Sequence, residues 1–213
     1  MMVPHTSDHG CRRTSGLNLA GFLARSAVNG PGIRAVIWVQ GCPIRCNGCF
    51  NPAFWSFSPA TVVSPDELAG RIRAIQGIDG VTFSGGEPFA QADALATVGE
   101  QVRDMGHTVV TYTGYPYEHL LFADDPAWNR LLGITDLLIA GPYVRALSCT
   151  SPFIGSSNQQ LIYLTRRIRQ GPRSRQEEGE IIEFSIDACG ATTITGFPRE
   201  YRAGQIPARC REE

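Results

Sequence analysis

Residues 33–51 read IRAVIWVQGCPIRCNGCFN. The first seven form an unbroken run rich in β-branched residues, the composition of a strand buried on both faces of a sheet. Gly41, Pro43 and Gly48 then keep the chain out of helix and strand. Within that loop, at the C-terminal end of the strand, stand Cys42, Cys46 and Cys49.

Strands and helices alternate downstream. Ser64, Pro65 and Glu67 combine a capping residue, a proline at the first helical position and an acid placed for a capping box; Leu68, Ile72 and Ile75 share the face of the helix they start. After Gly77 a short strand over 80–84 leads into SGGEP, and Leu95, Val98, Val102 and Met105 then recur at helical spacing. Further strands are expected over 107–113, 136–140, 160–164 and 181–186. Between them lie a helical segment over 117–122 and a helix from Asp125-Pro126 to Leu132, while the polar stretch after residue 165 reads as a solvated loop.

Upstream, LNLAGFLARSAVNGPG over 17–32 begins the packed structure and ends in a glycine-proline turn, and residues 1–16 read as a loose leader. Residues 17–213 are expected to form one domain. The alternation implies a parallel α/β sheet. Six strands fall short of a closed eight-stranded barrel of about 250 residues, so the expected architecture is an open, partial (βα)6-type TIM barrel with mostly parallel strands. Its active face is the set of loops after the strands, where GCPIRCNGC and SGGEP both lie.

Charged residues make up 18% of the 213 and the net charge is -1, so no nucleic-acid footprint is present. All 19 basic residues are arginine, several in plain loop sequence, which reads as compositional bias. No apolar run approaches the roughly 20 residues of a membrane span, and the first residues lack the apolar stretch of a secretory signal, so a cytoplasmic protein is expected. Seven cysteines, an odd number, argue against a disulfide framework.

The cysteine trio is therefore chemical or metal-binding. Thiolates suit zinc and iron-sulfur clusters alike. A structural zinc normally takes four ligands, and zinc here would have to recruit Cys149, Cys189 or His107. A four-iron cluster on three cysteines instead leaves one iron with open coordination. Cys11, Cys149, Cys189 and Cys210 form no second cluster motif; Cys149 and Cys189 read as buried inert thiols, and His107 and His119 as structural.

C-x3-C-x2-C at Cys42, Cys46 and Cys49 after one strand, with GGEP at 85–88 after the next, resembles the radical S-adenosylmethionine superfamily. Within it, NGPGIRAVIWVQGCPIRCNGCFN, GYPYE at 114–118 and GSSNQ at 155–159 resemble the activating enzymes of anaerobic (class III) ribonucleotide reductases. The likeness spans about residues 17–198. It departs at Ala140 and Ile154, where such activases often carry an acid and an arginine.

The resemblance implies that Cys42, Cys46 and Cys49 hold a 4Fe-4S cluster whose open iron is chelated by S-adenosylmethionine. It implies reductive cleavage to methionine and a 5′-deoxyadenosyl radical, which takes a hydrogen from a glycine of a partner enzyme. That partner would be a glycyl-radical enzyme, the anaerobic ribonucleoside-triphosphate reductase, with an electron donor such as flavodoxin. Gly48, Cys49 and Phe50 would border the adenine. Gly85 and Gly86 lack a Cβ and permit close approach, the Glu87 carboxylate suits an ammonium group, and Thr113 falls near the ribose. Related enzymes that build deazaguanine or modify peptides are the rival within the superfamily, and a zinc-binding interaction module is the rival outside it.

Overall fold

The computed structural model describes residues 16–149, 151–169, 182–186, 189–190 and 192–196. The expected leader, apart from Gly16, and both Cys11 and Cys210 lie outside them. In chain order the elements are β1 (Leu17–Ser26), β2 (Arg34–Val39), β3 (Thr61–Val63), α1 (Pro65–Arg73), β4 (Gly80–Gly85), α2 (Ala92–Asp104), β5 (Thr108–Thr113), α3 (Tyr117–Phe122), α4 (Pro126–Ile134), β6 (Leu137–Ala140), β7 (Gln160–Tyr163), β8 (Ile182–Ile186) and β9 (Thr192–Gly196).

Seven of these strands make one sheet in the order β3-β1-β2-β4-β5-β6-β7. Its middle is parallel: β2 pairs with β4 from Arg34↔Gly80 to Val39↔Gly85, β4 pairs with β5, and β5 with β6. One face carries Ala35, Ile37, Val39, Val81, Phe83, Val109 and Leu138 against Leu68 and Ile72 of α1, Leu95, Val98 and Val102 of α2, and Leu131 of α4. Val110, Leu137 and Ile139 pack with Ile154 and Ile168 in a second cluster. Burial on both faces explains the near-continuous apolar runs of β2 and β6. The Ser64 cap at α1 is as expected, the Glu67 N–H donating to Ser64 Oγ at 3.1 Å, whereas the Glu67 carboxylate expected to complete a capping box pairs with Arg71.

Two expectations are corrected. Four strands in a row run parallel, not six, because β7 pairs with β6 antiparallel and β8 pairs with β9 in a separate two-stranded sheet. Among the described residues no α-helix lies between β6 and β7 to carry the chain back across the sheet, so it re-enters from the edge it left. In β8 the apolar Ile182, Phe184 and Ile186 are exposed, while Glu183 accepts from Ala27 N at 2.8 Å and from Ser26 Oγ at 3.2 Å. The alternation of IEFSI belongs to a one-sided strand, not to a core strand.

β1 and β3 were not expected as strands. β1 pairs antiparallel with β2 through two register shifts, and these irregularities obscure a period of two beyond Leu17 and Leu19.

At the N-terminal end of the parallel strands lies Arg34, fully buried. Its guanidinium donates to Val81 O at 2.7 Å, Thr108 O at 2.8 Å, Pro31 O at 2.9 Å and Thr82 Oγ1 at 3.0 Å, and so ties β2, β4 and β5 together. Burial pulls its pKa down to about 10, against the opposing pull of Asp79. Arg34→Met leaves those acceptors buried without a donor, so a loss of about 3 kcal/mol is expected. Urea unfolding measures it as a lower midpoint at unchanged slope; an unmoved midpoint would show that the ties add nothing.

Candidate functional site

The β2–β4 pairing continues past the last strand residues. Gly86 N donates to Val39 O at 2.7 Å and Glu87 N to Gly41 O at 2.8 Å, which zips the GGE backbone onto the residues just before Cys42. Gly85 sits at φ +104, and a Cβ there would lie 2.5 Å from Val39 N. A Cβ on Gly86 would run into the Gly41 carbonyl. The close approach these glycines permit is between the two loops themselves. The cysteine loop is braced on its other side too: Gly41 N donates to Phe54 O at 2.9 Å and Cys42 N to Trp55 O at 3.2 Å. Both acceptors belong to the 3-10 turn Pro52–Trp55.

Cys42 is buried, and Cys46 and Cys49 are half-buried. Burial pushes the Cys42 and Cys46 thiols up; the backbone amides of Arg45 and Ile44 at Cys42, and of Tyr143 at Cys46, act in the opposite direction. Cys49 Sγ accepts from Asn51 N at 3.3 Å. Each sulfur thus has a peptide N–H beside it, and at Cys42 and Cys46 burial outweighs these donors.

Among the described residues no three His, Cys, Asp or Glu converge on a single metal ion. Tetrahedral zinc, with Zn–S near 2.3 Å, would require sulfurs about 4 Å apart. A four-iron cluster takes each thiolate on a different iron and needs a wider triangle. Three soft thiol donors on one loop, with peptide N–H groups beside them, suit an iron-sulfur cluster. Trp55 Nε1 and Asn158 Oδ1 are buried with no hydrogen-bond partner among the described residues, while the Trp55 carbonyl accepts from Cys42 N and the Asn158 amide holds Pro142 O.

Glu87 is 1% exposed. Its Oε1 accepts from Phe89 N and Thr113 Oγ1, both at 2.9 Å, and its Oε2 from Gly114 N at 2.8 Å. Burial pushes its pKa up to about 7, and these three donors oppose the shift. Two candidate cofactor residues, Glu87 and Thr113, are thereby joined, and the carboxylate clasps the end of β4 to the end of β5. Tyr115, which follows, stacks on His119 at 5.1 Å, so this histidine is packed as part of an aromatic group with Trp128.

Gly48 and Phe50 flank Cys49 and meet the segment that follows β6. The Phe50 ring lies 4.7 Å from that of Tyr143, and a Cβ on Gly48 would touch the Arg145 stem at 3.0 Å. Tyr143 is a site residue that no motif singled out, and Gly114, the first residue of GYPYE, was not picked as a site residue. Both follow parallel strands at their C-terminal ends, and that position is the signal that points to them. Cys189 is exposed, a correction to its expected burial, because it lies in the turn between β8 and β9 away from either core. Cys149 is half-buried against the second cluster.

The 4Fe-4S single cluster domain family matches residues 28–162. Among relatives, the chain is 32% identical over 118 residues to a pyruvate formate-lyase-activating enzyme of Clostridium pasteurianum, covering 53% of this chain and 46% of that one. It is 30% identical over 141 residues to the anaerobic ribonucleoside-triphosphate reductase-activating protein of Enterobacteria phage T4, covering 63% of this chain and 86% of the phage protein. The match thus spans about half the length of the first of these relatives and most of the second. A solved structure, QueE from Escherichia coli, is similar at 18% identity and a TM-score of 0.36 over 47% of this chain and 52% of that one, too slight a likeness to bear on the fold. With its three-thiol loop zipped to GGE at the edge of a parallel sheet, the chain belongs to the 4Fe-4S single cluster domain family, in the radical S-adenosylmethionine superfamily.

Proposed function

We propose that this chain is a radical S-adenosylmethionine activating enzyme that generates a glycyl radical on a partner, and that the partner is an anaerobic ribonucleoside-triphosphate reductase. The observation that carries the reading is the backbone zipper from Val39 and Gly41 to Gly86 and Glu87, which sets the thiol loop and the GGE loop on one edge. The name of the phage T4 relative favours the reductase over pyruvate formate-lyase, because the alignment extends over most of that relative. An electron donor such as flavodoxin is the second partner in this reading, and the compartment is the cytoplasm; no helix among the described residues is long and apolar enough to cross a membrane. Four parallel strands in a row support an open partial barrel, with residues 17–213 as one domain.

When bound, the cluster supplies the electron for reductive cleavage of S-adenosylmethionine. Cys42, Cys46 and Cys49 hold it. The raised thiol pKa values of Cys42 and Cys46 mean that uptake there displaces protons, and the amides at those two sulfurs offset part of that cost. Gly48, Cys49 and Phe50 border the adenine. Gly85, Gly86 and Glu87 serve the amino group, and Thr113, tied to Glu87, serves the ribose side.

Anaerobic reconstitution with iron and sulfide, then reduction and mixing with S-adenosylmethionine and the candidate reductase, is expected to give a glycyl radical by electron paramagnetic resonance. Free 5′-deoxyadenosine with no protein radical would instead favour the small-molecule or peptide rival, and a colourless protein with one zinc and no sulfide would sink the reading. Cys46→Ala is expected to abolish cluster-dependent cleavage, since two thiolates hold a cluster poorly; retained cleavage would refute the ligand assignment.

Glu87 generates a pH prediction for the cofactor-free chain. Its folded pKa, about 7, lies above the ordinary 4.5, so its contribution to stability is fully present below about pH 4.5 and is lost as pH rises through 7. The window is worth on the order of 3 kcal/mol for a group this deeply buried. Glu87→Gln removes that slope. Urea midpoints at pH 5 and pH 8 test it, and equal slopes in the two proteins would show that Glu87 does not titrate in this range.

A further inference from the structure

The 19 residues between β6 and β7 leave the sheet and return, and a short 3-10 turn, Arg145–Leu147, is the one helical element among those described. Three side chains from the far end of this arm organise it. Gln159 Oε1 accepts from Gly155 N at 2.8 Å and Ser156 N at 3.3 Å, and its Nε2 donates to Gly141 O at 3.0 Å. Asn158 Nδ2 donates to Pro142 O at 2.8 Å, and Ser156 Oγ, fully buried, accepts from Val144 N at 3.1 Å. The backbone adds Ser157 N to Leu147 O at 2.8 Å and Cys149 N to Gly155 O at 3.3 Å. Residues 141, 142 and 144 are therefore each fastened to the 156–159 segment, and residue 143 is held between them facing the cysteine loop.

What the fastening holds is specific. The Tyr143 ring lies 4.7 Å from Phe50 at 44°. A Cβ on Gly155 would meet the Phe50 ring at 2.9 Å and the Tyr143 ring at 3.1 Å, so both rings close over a position with room for glycine alone. The Arg145 stem covers Gly48. The residues on either side of Cys49 are thus gripped by one arm, and the Tyr143 amide is directed at the Cys46 thiol. Groups that orient metal ligands and donate to their sulfurs tune both affinity and potential.

We propose that Ser156, Asn158 and Gln159 form a buckle, with Gln159 as a positioning residue that holds Tyr143 and Gly155 against Phe50 and so sets the geometry of the Cys46–Phe50 segment around the iron-sulfur cluster. This rests on the cluster assignment above. Gln159→Leu removes three hydrogen bonds and releases the arm without touching a thiol. Gly155→Ala keeps the Gln159 side chain and pushes directly on the two rings.

The test uses the full chain, reconstituted anaerobically, with two readouts besides activity: the midpoint potential of the cluster and the rate of iron loss to a chelator. Both variants are expected to take up iron and sulfide, to show a more negative potential because an N–H donor at Cys46 is displaced, and to lose iron about tenfold faster. Tyr143→Phe, which keeps ring and amide, is expected to match the wild type. If Gln159→Leu does not fold, Gly155→Ala decides alone. Variants that fold with wild-type potential and iron loss overturn the buckle and leave the cluster in place. A wild-type chain that takes up no iron and sulfide overturns the cluster assignment and the buckle with it.

Discussion

Two amide hydrogens that continue a parallel ladder beyond its strands hold the site together. Those of Gly86 and Glu87 reach Val39 O and Gly41 O, and every other element of the site is placed relative to that seam. Parallel pairing fixes the register of β2 and β4 residue by residue to Val39↔Gly85. Extending it by two bonds places Cys42 and Glu87 beside one another. The cost is steric, and glycine meets it: any side chain at 85 or 86 would strike the backbone of the neighbouring strand or loop.

The two ends of the same sheet handle buried charge differently. At the N-terminal end Arg34 spends its donors on carbonyl and hydroxyl oxygens, with Asp79 and Asp136 supplying charge compensation from further off. At the C-terminal end Glu87 is held by two amides and one hydroxyl, with no cation bonded to it among the described residues. A guanidinium stays charged at about 10, whereas a carboxylate at about 7 sits near its midpoint at neutral pH. The first is a fastener. The second is a group whose charge can follow what is placed beside it.

Much of this was readable from residue order. Buried strands at 34–39 and 137–140, the Ser64 cap and the amphipathic α2 follow from local pattern, and each local choice agreed with the fold. The direction of β7 was not readable, because direction depends on where the connection runs, and that is decided by Gln159, Asn158 and Ser156 bonding to 141–144 across the arm. In the site, the thiols and GGE could be picked out as motifs, but the use of the glycines could not. Absence of a Cβ permits a close approach without naming what approaches. Tyr143 carried no motif at all, since its role comes from lying against Phe50, a contact between the loops that follow β2 and β6, which β4 and β5 separate in the sheet.

Glu87 was expected to meet an ammonium group, and in the structure it meets peptide and hydroxyl donors instead. The two are compatible by count. An ionised carboxylate offers about four acceptor positions, and three are filled, two on Oε1 and one on Oε2. The remaining position is on Oε2, the oxygen that Gly114 holds at the mouth of β5. A cation arriving there would stabilise the charged form and draw the pKa down from about 7 toward the ordinary carboxylate range. Binding a cationic group and ionising Glu87 are then one linked equilibrium. The three internal donors keep the carboxylate in place while its charge changes, so clasping the strand ends and receiving a cation require the same geometry.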